Sequence, residues 1–402
     1  MKTFLTLLLI TILNIKSNCQ NSDQLIFELN KIVRPITTIN PEDNFDDIES
    51  LKDMAKDAAI IGIGESSHGT AIYNTYRQRL IRFLVQEMGY KAIVDEGDIL
   101  AAEKIDSYIN HETDSLEFVG GLRPVITNRK ELDWLRSYNI NKSEKDRVHI
   151  YGAEVRGFYA IIQKLKSIGL VSNVNPILEK LSGDVGVAYR NLTKKDFEEI
   201  KKLAENMKDG CNSSICSYYL LLLNQQIDFA YQQRFGRNGF KVRDKYMFEN
   251  LKSIVSKAPG NKVIILAHNG HLQKSKFLNL TSLGYLLNNF YGSKYFVIAT
   301  DFNTGNVNIF NVKTGKFENT FFEPVNDSNA IEYYFKQLKY TDFLMPVRSA
   351  LKNPVTAPLV NNKTKMLRNM GASGKIITSP VRIAENFDLI IFFNNTNSRE
   401  KL

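Results

Sequence analysis

Six short apolar runs, rich in β-branched residues and ending in polar ones, constrain the fold of this chain more than any other feature. Continuous apolar runs of this length are typical of strands that are buried on both faces of a mainly parallel sheet. Segments with helical periodicity alternate with the runs, which predicts an α/β fold with three layers. The runs comprise residues 58–63, 91–95, 148–151, 262–267, 295–300 and 387–393.

The first run begins a predicted βαβ unit. Residues 71–87 carry apolar side chains at the spacing of one helical face. A helix over these residues would connect two neighbouring parallel strands, at 58–63 and 91–95. This unit places the end of the first strand beside the start of a helix.

The stretch from about residue 170 to residue 258 has no strand pattern. We therefore expect a helical insertion, or subdomain, between two strands of the sheet. The rest of the mature chain, residues 20–402, is expected to form one α/β domain around it. Helical patterns within the insertion cover residues 194–208, 214–235 and 241–257.

The N-terminus has the pattern of a secretory signal peptide. In residues 1–19, Lys2 precedes an apolar stretch at 4–15 that is too short to span a bilayer. Cleavage after Cys19 predicts an exported protein, periplasmic or extracellular. A lipid anchor on Cys19 is the alternative, which Lys16 disfavours. No later stretch is apolar enough to predict an integral membrane span.

Basic residues are spread among acidic residues along the whole chain. With 52 Lys and Arg against 43 Asp and Glu, the formal net charge is +9. Such a mixture is typical of solvated helix faces, so we expect no nucleic-acid partner.

Two cysteines remain after removal of the signal peptide, Cys211 and Cys216, in the segment CNSSIC. In an oxidising compartment this pair predicts a local disulfide, and two free thiols are the alternative. The prediction of the disulfide therefore depends on the prediction of export.

Three predicted strands end in acidic or imidazole side chains. Glu65 and His68 follow the first strand, Glu96 follows the second, and His268 and His271 follow a later one. Ligands bind at the carboxyl ends of the strands in open α/β sheets. We therefore expect these side chains to line one cleft.

His68 is the candidate base of this cleft. If a helix begins near Thr70, its positive end disfavours the imidazolium and keeps the ring neutral. Glu65 or Glu96, bound to the other ring nitrogen, would select the tautomer. Arg77 lies on the apolar face of the helix, as either a buried partner of these acids or a clamp for the ligand.

In combination, these motifs resemble the erythromycin esterase family. Their order and spacing carry the resemblance, which extends from about residue 25 to residue 395. The motifs are Gly64-Glu65 followed by His68, Arg77 nine positions later, Glu96, His268-Asn269-Gly270-His271, Trp134-Leu135-Arg136-Ser137-Tyr138-Asn139 and Arg243-Asp244.

The resemblance implies a hydrolase that opens an ester, or the macrolactone of a macrolide such as erythromycin. Water would attack directly, without a covalent intermediate or a required metal. His68 matches the general base and Glu65 the acid of its motif, while Glu96 would help to orient and balance the base. By the same resemblance Arg77, Glu96, His268 and His271 line the cleft, and our own hypothesis is that Arg77 with either histidine stabilises the oxyanion.

The chain departs from the family pattern at two positions. Ile72 stands where macrolide-cleaving members generally have Glu, and Glu154 stands where members often have Asp. Ile72, Tyr73 and Glu154 are our candidate substrate-binding residues. The expected partner is a small-molecule ester or macrolide, and an esterase for another substrate is as compatible with the residues as one that inactivates a drug.

Three alternatives stay open. A serine hydrolase would use Ser66 or Ser67, although the chain lacks the Gly-x-Ser-x-Gly motif. A metallohydrolase would hold a divalent ion at His68, His268 and His271. A non-catalytic homologue would bind a ligand in the same cleft.

Overall fold

The computed structural model describes residues 22–117, 128–171, 176–181, 188–311, 313–372 and 374–397. The predicted signal peptide, residues 1–19, lies outside the described residues. Within those ranges, no helix combines the length and apolar composition needed to cross a bilayer.

A nine-stranded sheet forms the middle layer, and a two-stranded sheet lies apart from it. Most neighbouring strands of the large sheet run parallel, as the apolar runs predict. Its strands are β1 (Arg34–Pro35), β2 (Ile60–Glu65), β3 (Ala92–Asp98), β4 (His149–Glu154), β5 (Val263–His268), β6 (Tyr295–Asn311), β7 (Lys316–Phe322), β8 (Asp342–Pro346) and β11 (Leu389–Thr396), and the small sheet pairs β9 (Lys363–Thr364) with β10 (Val381–Arg382).

The strand order β1-β8-β11-β6-β2-β5-β3-β4 places β2 in the middle of the sheet, with β7 paired to β6 outside this path. The contacts of β8 with β1 and β11, and that of β7 with β6, are antiparallel. Strands β1, β7 and β8 lack a continuous apolar run long enough to identify them from sequence. The mainly parallel α/β prediction is confirmed.

Four strands extend further than apolarity predicts, each taking in the polar residue expected just after it. Glu65, Glu96, Glu154 and His268 lie within β2, β3, β4 and β5, and Glu65 is paired in register with His268. Their side chains are buried against polar partners contributed mostly by other elements, the arginines among them. Apolarity alone therefore ends the strands too early.

The helices alternate with the strands. Helix α3 coincides with the prediction to within one residue, and α9 ends before the predicted 235 because a π-helical turn, Gln232–Gly236, follows it. The helices are α1 (residues 22–32), α2 (Leu51–Met54), α3 (Ala71–Met88), α4 (Ile99–Ile109), α5 (Arg129–Asn139), α6 (Phe158–Ser167), α7 (Pro176–Lys180), α8 (Lys194–Asp209), α9 (Ser214–Tyr231), α10 (Gly239–Lys257), α11 (Asn269–Leu272), α12 (Leu283–Tyr291), α13 (Ile331–Phe335), α14 (Val347–Lys352), α15 (Ala357–Asn361) and α16 (Ile383–Asn386).

Two apolar cores, one on each face of the sheet, produce the three layers. Helices α2, α3, α4 and α5 bury their apolar faces on one side. Helices α1, α10 and α12, together with α13 to α16, cover the other. The active-site candidates therefore lie at the edge of a sheet that is held rigidly between helical layers.

A third core, formed by α6 to α9, lies beside the sheet. This core lies in the chain region between β4 and β5, whose described elements are all helical. Cys211 and Cys216 form a disulfide between α8 and the first turn of α9, which confirms the predicted pairing.

Candidate active site

The turn from β2 to α3 brings His68 against Glu65. His68 Nδ1 lies 2.5 Å from Glu65 Oε1, and 34% of the His68 side chain is exposed. Gly69 has to be glycine because a Cβ there would lie 1.9 Å from the carbonyl oxygen of Asn308 on β6. This close approach fixes the turn, and with it the direction of the imidazole.

The pKa of His68 is raised, contrary to the predicted neutral ring. Burial favours the neutral form, but the hydrogen bond and negative charge of Glu65, supported by Glu96, outweigh it. Helix α3 does begin close by, at Ala71, yet its partial positive charge is weaker than a carboxylate in direct contact. The imidazolium is therefore stabilised by Glu65, whose own pKa is lowered by His68 despite its burial.

Arg77 lies behind Glu65 instead of in the cleft. Its Nη1 is 3.5 Å from Glu65 Oε2, its Nη2 donates to Asn74 Oδ1 at 2.9 Å, and the residue is 6% exposed. Arg77 lies on the buried side of α3, so its guanidinium contacts Glu65 from the core and not from the cleft. This position corrects the predicted oxyanion role and makes Arg77 a buried partner of Glu65.

Glu96 connects the first part of the site to the second. Its Oε2 accepts a hydrogen bond from the backbone N–H of His268 at 2.8 Å, and its Oε1 lies 2.8 Å from Arg243 Nη2 and 3.3 Å from His271 Nε2. Burial alone would raise the pKa of Glu96, but His271, Arg243 and His68 hold it well below its usual range. Glu96 is therefore an ionised carboxylate that positions its neighbours.

His268 is the neutral histidine of the site. Its Nδ1 accepts from the N–H of Gly270 at 3.0 Å, so the ring proton is on Nε2, which lies 3.3 Å from the carbonyl oxygen of Ser66. Burial and the nearby His68 lower its pKa to about 3. The ring centroids of His68 and His268 are 5.6 Å apart. The prediction of a neutral imidazole thus fits His268 and not His68.

His271 is held by an acid and an aromatic ring. Its Nδ1 lies 2.9 Å from Asp244 Oδ2, and its ring stacks on Phe240 at a centroid distance of 5.0 Å. Burial disfavours its cation, but Glu96 and Asp244 raise its pKa. His271 is only 6% exposed, and its Nε2 lies 3.3 Å from Glu96 Oε1 and 3.0 Å from Arg243 Nη1.

Two arginines complete the site, and sequence analysis did not select them. Arg243 Nη2 donates to Glu154 Oε1 at 2.7 Å as well as to Glu96, and Arg156 Nη2 donates to the carbonyl oxygen of Glu96 at 2.9 Å. The Arg243-Asp244 motif was a signal for the first. Arg156, two residues beyond the end of β4, could have been found by the rule that selected the other strand ends.

Glu154 belongs to this charge cluster, so its predicted substrate-binding role needs correction. It is 5% exposed, and although burial opposes ionisation, Arg156 and Arg243 lower its pKa to about 2. Both oxygens are occupied by the arginines. Glu154 therefore holds the two cations in place and does not face a ligand.

Tyr73 also lies away from the cleft, which corrects a second substrate-binding prediction. It is 2% exposed, its hydroxyl is 2.7 Å from Ser66 Oγ, and its ring packs near Phe302 and Phe393. Tyr73 lies on the apolar face of α3, which packs into the core as its spacing predicts. Ile72, partly buried, packs against the same core.

The two serines beside His68 do not contact its ring nitrogens. Ser66 Oγ is buried against the Tyr73 hydroxyl, and Ser67 Oγ accepts from the N–H of Gly69 at 3.3 Å. The arrangement lacks the serine–histidine hydrogen bond that activates a nucleophilic hydroxyl.

The four ring nitrogens of His268 and His271 all have polar partners. His268 Nδ1 accepts from the N–H of Gly270, His268 Nε2 lies 3.3 Å from the Ser66 carbonyl oxygen, and His271 Nδ1 lies against Asp244. Among the residues that the structure describes, no three His, Cys, Asp or Glu side chains are placed to hold one metal ion. A metal centre formed by His68, His268 and His271 does not fit this arrangement.

Solved structures share this fold over nearly the whole chain. A succinoglycan biosynthesis protein superposes with a TM-score of 0.80 at 20% identity, covering 94% of this chain and 98% of the other. An erythromycin esterase mutant in its open conformation superposes with a TM-score of 0.69 at 19% identity, covering 91% and 98%. These likenesses concern the fold alone.

Sequence comparison goes further. Erythromycin esterase type II of Escherichia coli is 22% identical over 313 residues, which are 65% of this chain and 73% of that protein. The family model described as erythromycin esterase matches residues 85–396. That match covers most of the sheet and the part of the site from Glu96 onward, but not Glu65, His68 or Arg77, and the chain belongs to the erythromycin esterase family.

Proposed function

We propose that the protein hydrolyses an ester or lactone with water activated by His68. The observation that carries this proposal is the 2.5 Å contact between His68 Nδ1 and Glu65 Oε1 beneath a ring that is partly open to solvent. No described residue forms a hydrogen bond with His68 Nε2, which is left for water. Membership of the erythromycin esterase family supports an ester as the substrate class.

In the proposed reaction, neutral His68 takes a proton from water on Nε2 while the hydroxide attacks the ester carbonyl. Glu65 stabilises the imidazolium as it forms, and Arg77 keeps Glu65 ionised from behind. Collapse of the tetrahedral intermediate breaks the bond to the alcohol oxygen, which receives the proton from His68. A positioned base of this kind contributes a factor of about 10² to 10⁴ in rate.

His268 is the proposed oxyanion donor. Its Nε2 proton is only weakly held, at 3.3 Å from the Ser66 carbonyl, and its ring faces the His68 ring. Because its pKa is lowered to about 3, it donates a hydrogen bond without carrying charge. One such donor is typically worth a factor of about 10² to 10³. Glu96 positions this histidine through its backbone N–H.

Macrolides are one substrate candidate, since the relative named above is an erythromycin esterase. Because Ile72 at the start of α3 replaces the Glu that macrolide-cleaving members generally have, other esters should be tested as substrates as well. We also propose export after cleavage of residues 1–19, which N-terminal sequencing of the secreted protein would test.

The function is tested by incubating the mature protein with a panel of macrolides and simple esters and measuring product mass. We expect either a macrolide to gain the mass of one water on ring opening or a simple ester to split into its acid and alcohol, and His68→Asn to abolish that reaction. His111→Asn is the matched control, because His111 is exposed and its φ of 64° suits asparagine. Wild-type turnover by His68→Asn would contradict the mechanism.

The competing mechanisms give different results with the same substrate. Loss of hydrolysis after chelation, restored by one added metal, would establish a metallohydrolase. An acyl adduct on the protein after rapid quenching would establish a covalent intermediate. Binding without turnover, unchanged in His68→Asn, would identify a non-catalytic homologue.

A further inference from the structure

The charged side chains of the candidate site differ in depth according to their sign. The carboxylates are the buried ones, since the side chains of Glu65, Glu96 and Glu154 are 9%, 5% and 7% exposed. Two of the cations reach further toward solvent, with 37% of the Arg156 side chain and 20% of the Arg243 side chain exposed. The charge that this cluster offers to a ligand in the cleft is therefore mainly positive.

Arg156 is held in place by part of its guanidinium and leaves the rest open. Its Nε donates to Glu154 Oε1 at 2.5 Å, and its Nη2 donates to the carbonyl oxygen of Glu96 at 2.9 Å. Its third nitrogen, Nη1, has no hydrogen-bond partner among the described residues and is not buried. Arg156 thus presents a fixed cation with free N–H donors, and the mechanism proposed above does not use it.

Arg156 lies at the same edge of the sheet as the catalytic residues. It follows the carboxyl end of β4, which runs parallel to β3. The residue whose backbone it contacts, Glu96, accepts a hydrogen bond from the N–H of His268 at 2.8 Å. Burial and the positive charge of Arg156 both lower the pKa of His68, against the larger effect of Glu65. Arg156 and His68 therefore act on one cleft.

The strand order gives the distance that a ligand has to span. Only β5 lies between β2, which leads to His68, and β3, which carries the carbonyl oxygen that Arg156 contacts. Two strand spacings amount to about 10 Å. A small ester held between His68 and His268 is long enough to place a second group against Arg156.

The second group that suits Arg156 best is a carboxylate. A guanidinium donates charge-assisted hydrogen bonds to carboxylate oxygens, and one such bond corresponds to a factor of about 10 to 100 in binding. A cationic group would be repelled by Arg156 and Arg243, while the carboxylates that could attract it are buried. A neutral group would gain only an ordinary hydrogen bond.

We propose that the protein hydrolyses esters that also carry a carboxylate, and that Arg156 binds this carboxylate through Nη1. The proposal rests on the proposed function, because it places the ester at His68. It makes Arg156 a specificity-determining residue, which binds a part of the substrate that does not react.

The test compares 4-carboxyphenyl butyrate with 4-carbamoylphenyl butyrate, in which a neutral amide of similar shape replaces the carboxylate. In Arg156→Gln, we expect kcat/KM to fall about 10- to 100-fold for the carboxylate ester and less than about threefold for the amide. Arg156→Lys should keep part of the preference, because it keeps the charge without the planar group. The monomethyl ester of adipic acid and its amide repeat the comparison with the carboxylate on the acid side of the ester.

Arg348→Gln is the matched control, since it removes the same charge far from the site. Arg348 is exposed and follows the end of β8, which runs antiparallel to β11, so it lies at the opposite edge of the sheet. This variant should hydrolyse all four esters at the wild-type rate. Added salt should weaken the preference of the wild type for carboxylate esters and leave Arg156→Gln unaffected.

Equal losses on the two members of each pair in Arg156→Gln would overturn the proposal, because they would place Arg156 in the chemical step or in the support of Glu154. Thermal unfolding shows whether the variant folds. If it does not, the preference of the wild type for carboxylate over amide, and its dependence on salt, decide the question. A wild type without that preference would also overturn the proposal.

A binding measurement separates failure of this proposal from failure of the esterase. In saturation-transfer NMR, benzoate should bind to the wild type more strongly than benzamide does, and this difference should disappear in Arg156→Gln. Such binding without hydrolysis of any ester would refute the esterase mechanism alone. Equal binding of benzoate and benzamide by the wild type would refute the carboxylate site.

Discussion

The candidate site and the buried pair Asp301–Glu332 balance their carboxylates differently. At the site, Glu154 lies between Arg156 and Arg243, and its pKa is lowered to about 2. Asp301, on β6, and Glu332, on α13, lie beside each other and share the influence of Arg368. Burial raises the pKa of both, that of Glu332 to about 7.

The difference shows that burial alone does not decide the charge of a carboxylate. At the site, arginines and histidines outweigh desolvation, so the acids stay ionised and can raise the pKa of His68. In the Asp301–Glu332 pair, like charges and desolvation act together, and a proton is retained into the neutral range. The first arrangement suits catalysis, and the second makes stability sensitive to pH.

The largest expected effect comes from removing the cation that joins the acids of the site. Arg243→Met leaves Glu96 and Glu154 buried with one fewer partner, which should lower the free energy of unfolding by about 3 to 5 kcal/mol and abolish hydrolysis. Denaturant unfolding measures the first effect. Lys241→Met, exposed on the same helix, is the control. Equal stability of the two variants would show that Arg243 does not maintain the cluster.

A smaller effect is expected at the buried pair Asp301–Glu332, and it depends on pH. The raised pKa of Glu332 means that the folded state binds more protons, so its contribution to stability is lost as pH rises from about 4.5 to about 7. Glu332→Gln removes this titration and should become more stable than the wild type by up to about 3 kcal/mol above pH 7. Unfolding curves at pH 5 and pH 7.5 measure the difference.

Glu154→Gln provides the contrast, measured by the same unfolding curves at pH 3 and pH 5. Its lowered pKa stabilises the fold above about pH 4.5 and is lost as pH falls toward about 2, so its deficit relative to wild type should shrink on acidification. If both variants changed with pH in the same direction, the distinction between the two regions would be wrong.

The smallest effect is expected at Asp98, a carboxylate near the site that accepts hydrogen bonds from backbone N–H groups instead of pairing with cations. Asp98 caps α4 through the N–H groups of Leu100 and Ala101, and burial raises its pKa to about 6. Asp98→Asn keeps a good cap and should change the free energy of unfolding by less than about 1 kcal/mol at pH 7.5, whereas Asp98→Ala should cost about 1 kcal/mol. A large loss in Asp98→Asn would mean that its charge supports the cluster.

The sequence predicted the elements that depend on local patterns. Apolar runs identified β2 to β6 and β11, and helical spacing identified α3, because burial on two faces or on one face leaves a direct periodic signal. Strand β7 was missed because it is exposed and carries no apolar run, and β8 was missed because its apolar run is short and ends at Pro346. Strand ends were predicted too early because polar residues such as Glu65 and His268 continue the strand ladder while their side chains are buried against other polar groups.

The site was predicted as a set of residues but not as a geometry. Strand ends correctly brought Glu65, His68, Glu96 and His268 together, since parallel strands share one edge. The spacing of α3 placed Tyr73 and Arg77 on its apolar face, but it could not show that this face packs into the core behind Glu65 and leaves neither side chain in the cleft. The direction of the His68 pKa shift could not be predicted either, because it depends on the distance between His68 and Glu65, which outweighs the effect of the helix end.

The central claim is that His68 is the base and that Glu65 raises its pKa. The acidic limb of the pH dependence of kcat/KM tests it most directly, on whichever ester the wild type hydrolyses. We predict a wild-type limb above about pH 6.5, the usual pKa of histidine, and a limb shifted to lower pH, with a reduced plateau, in Glu65→Gln. An unshifted limb in Glu65→Gln would contradict the account.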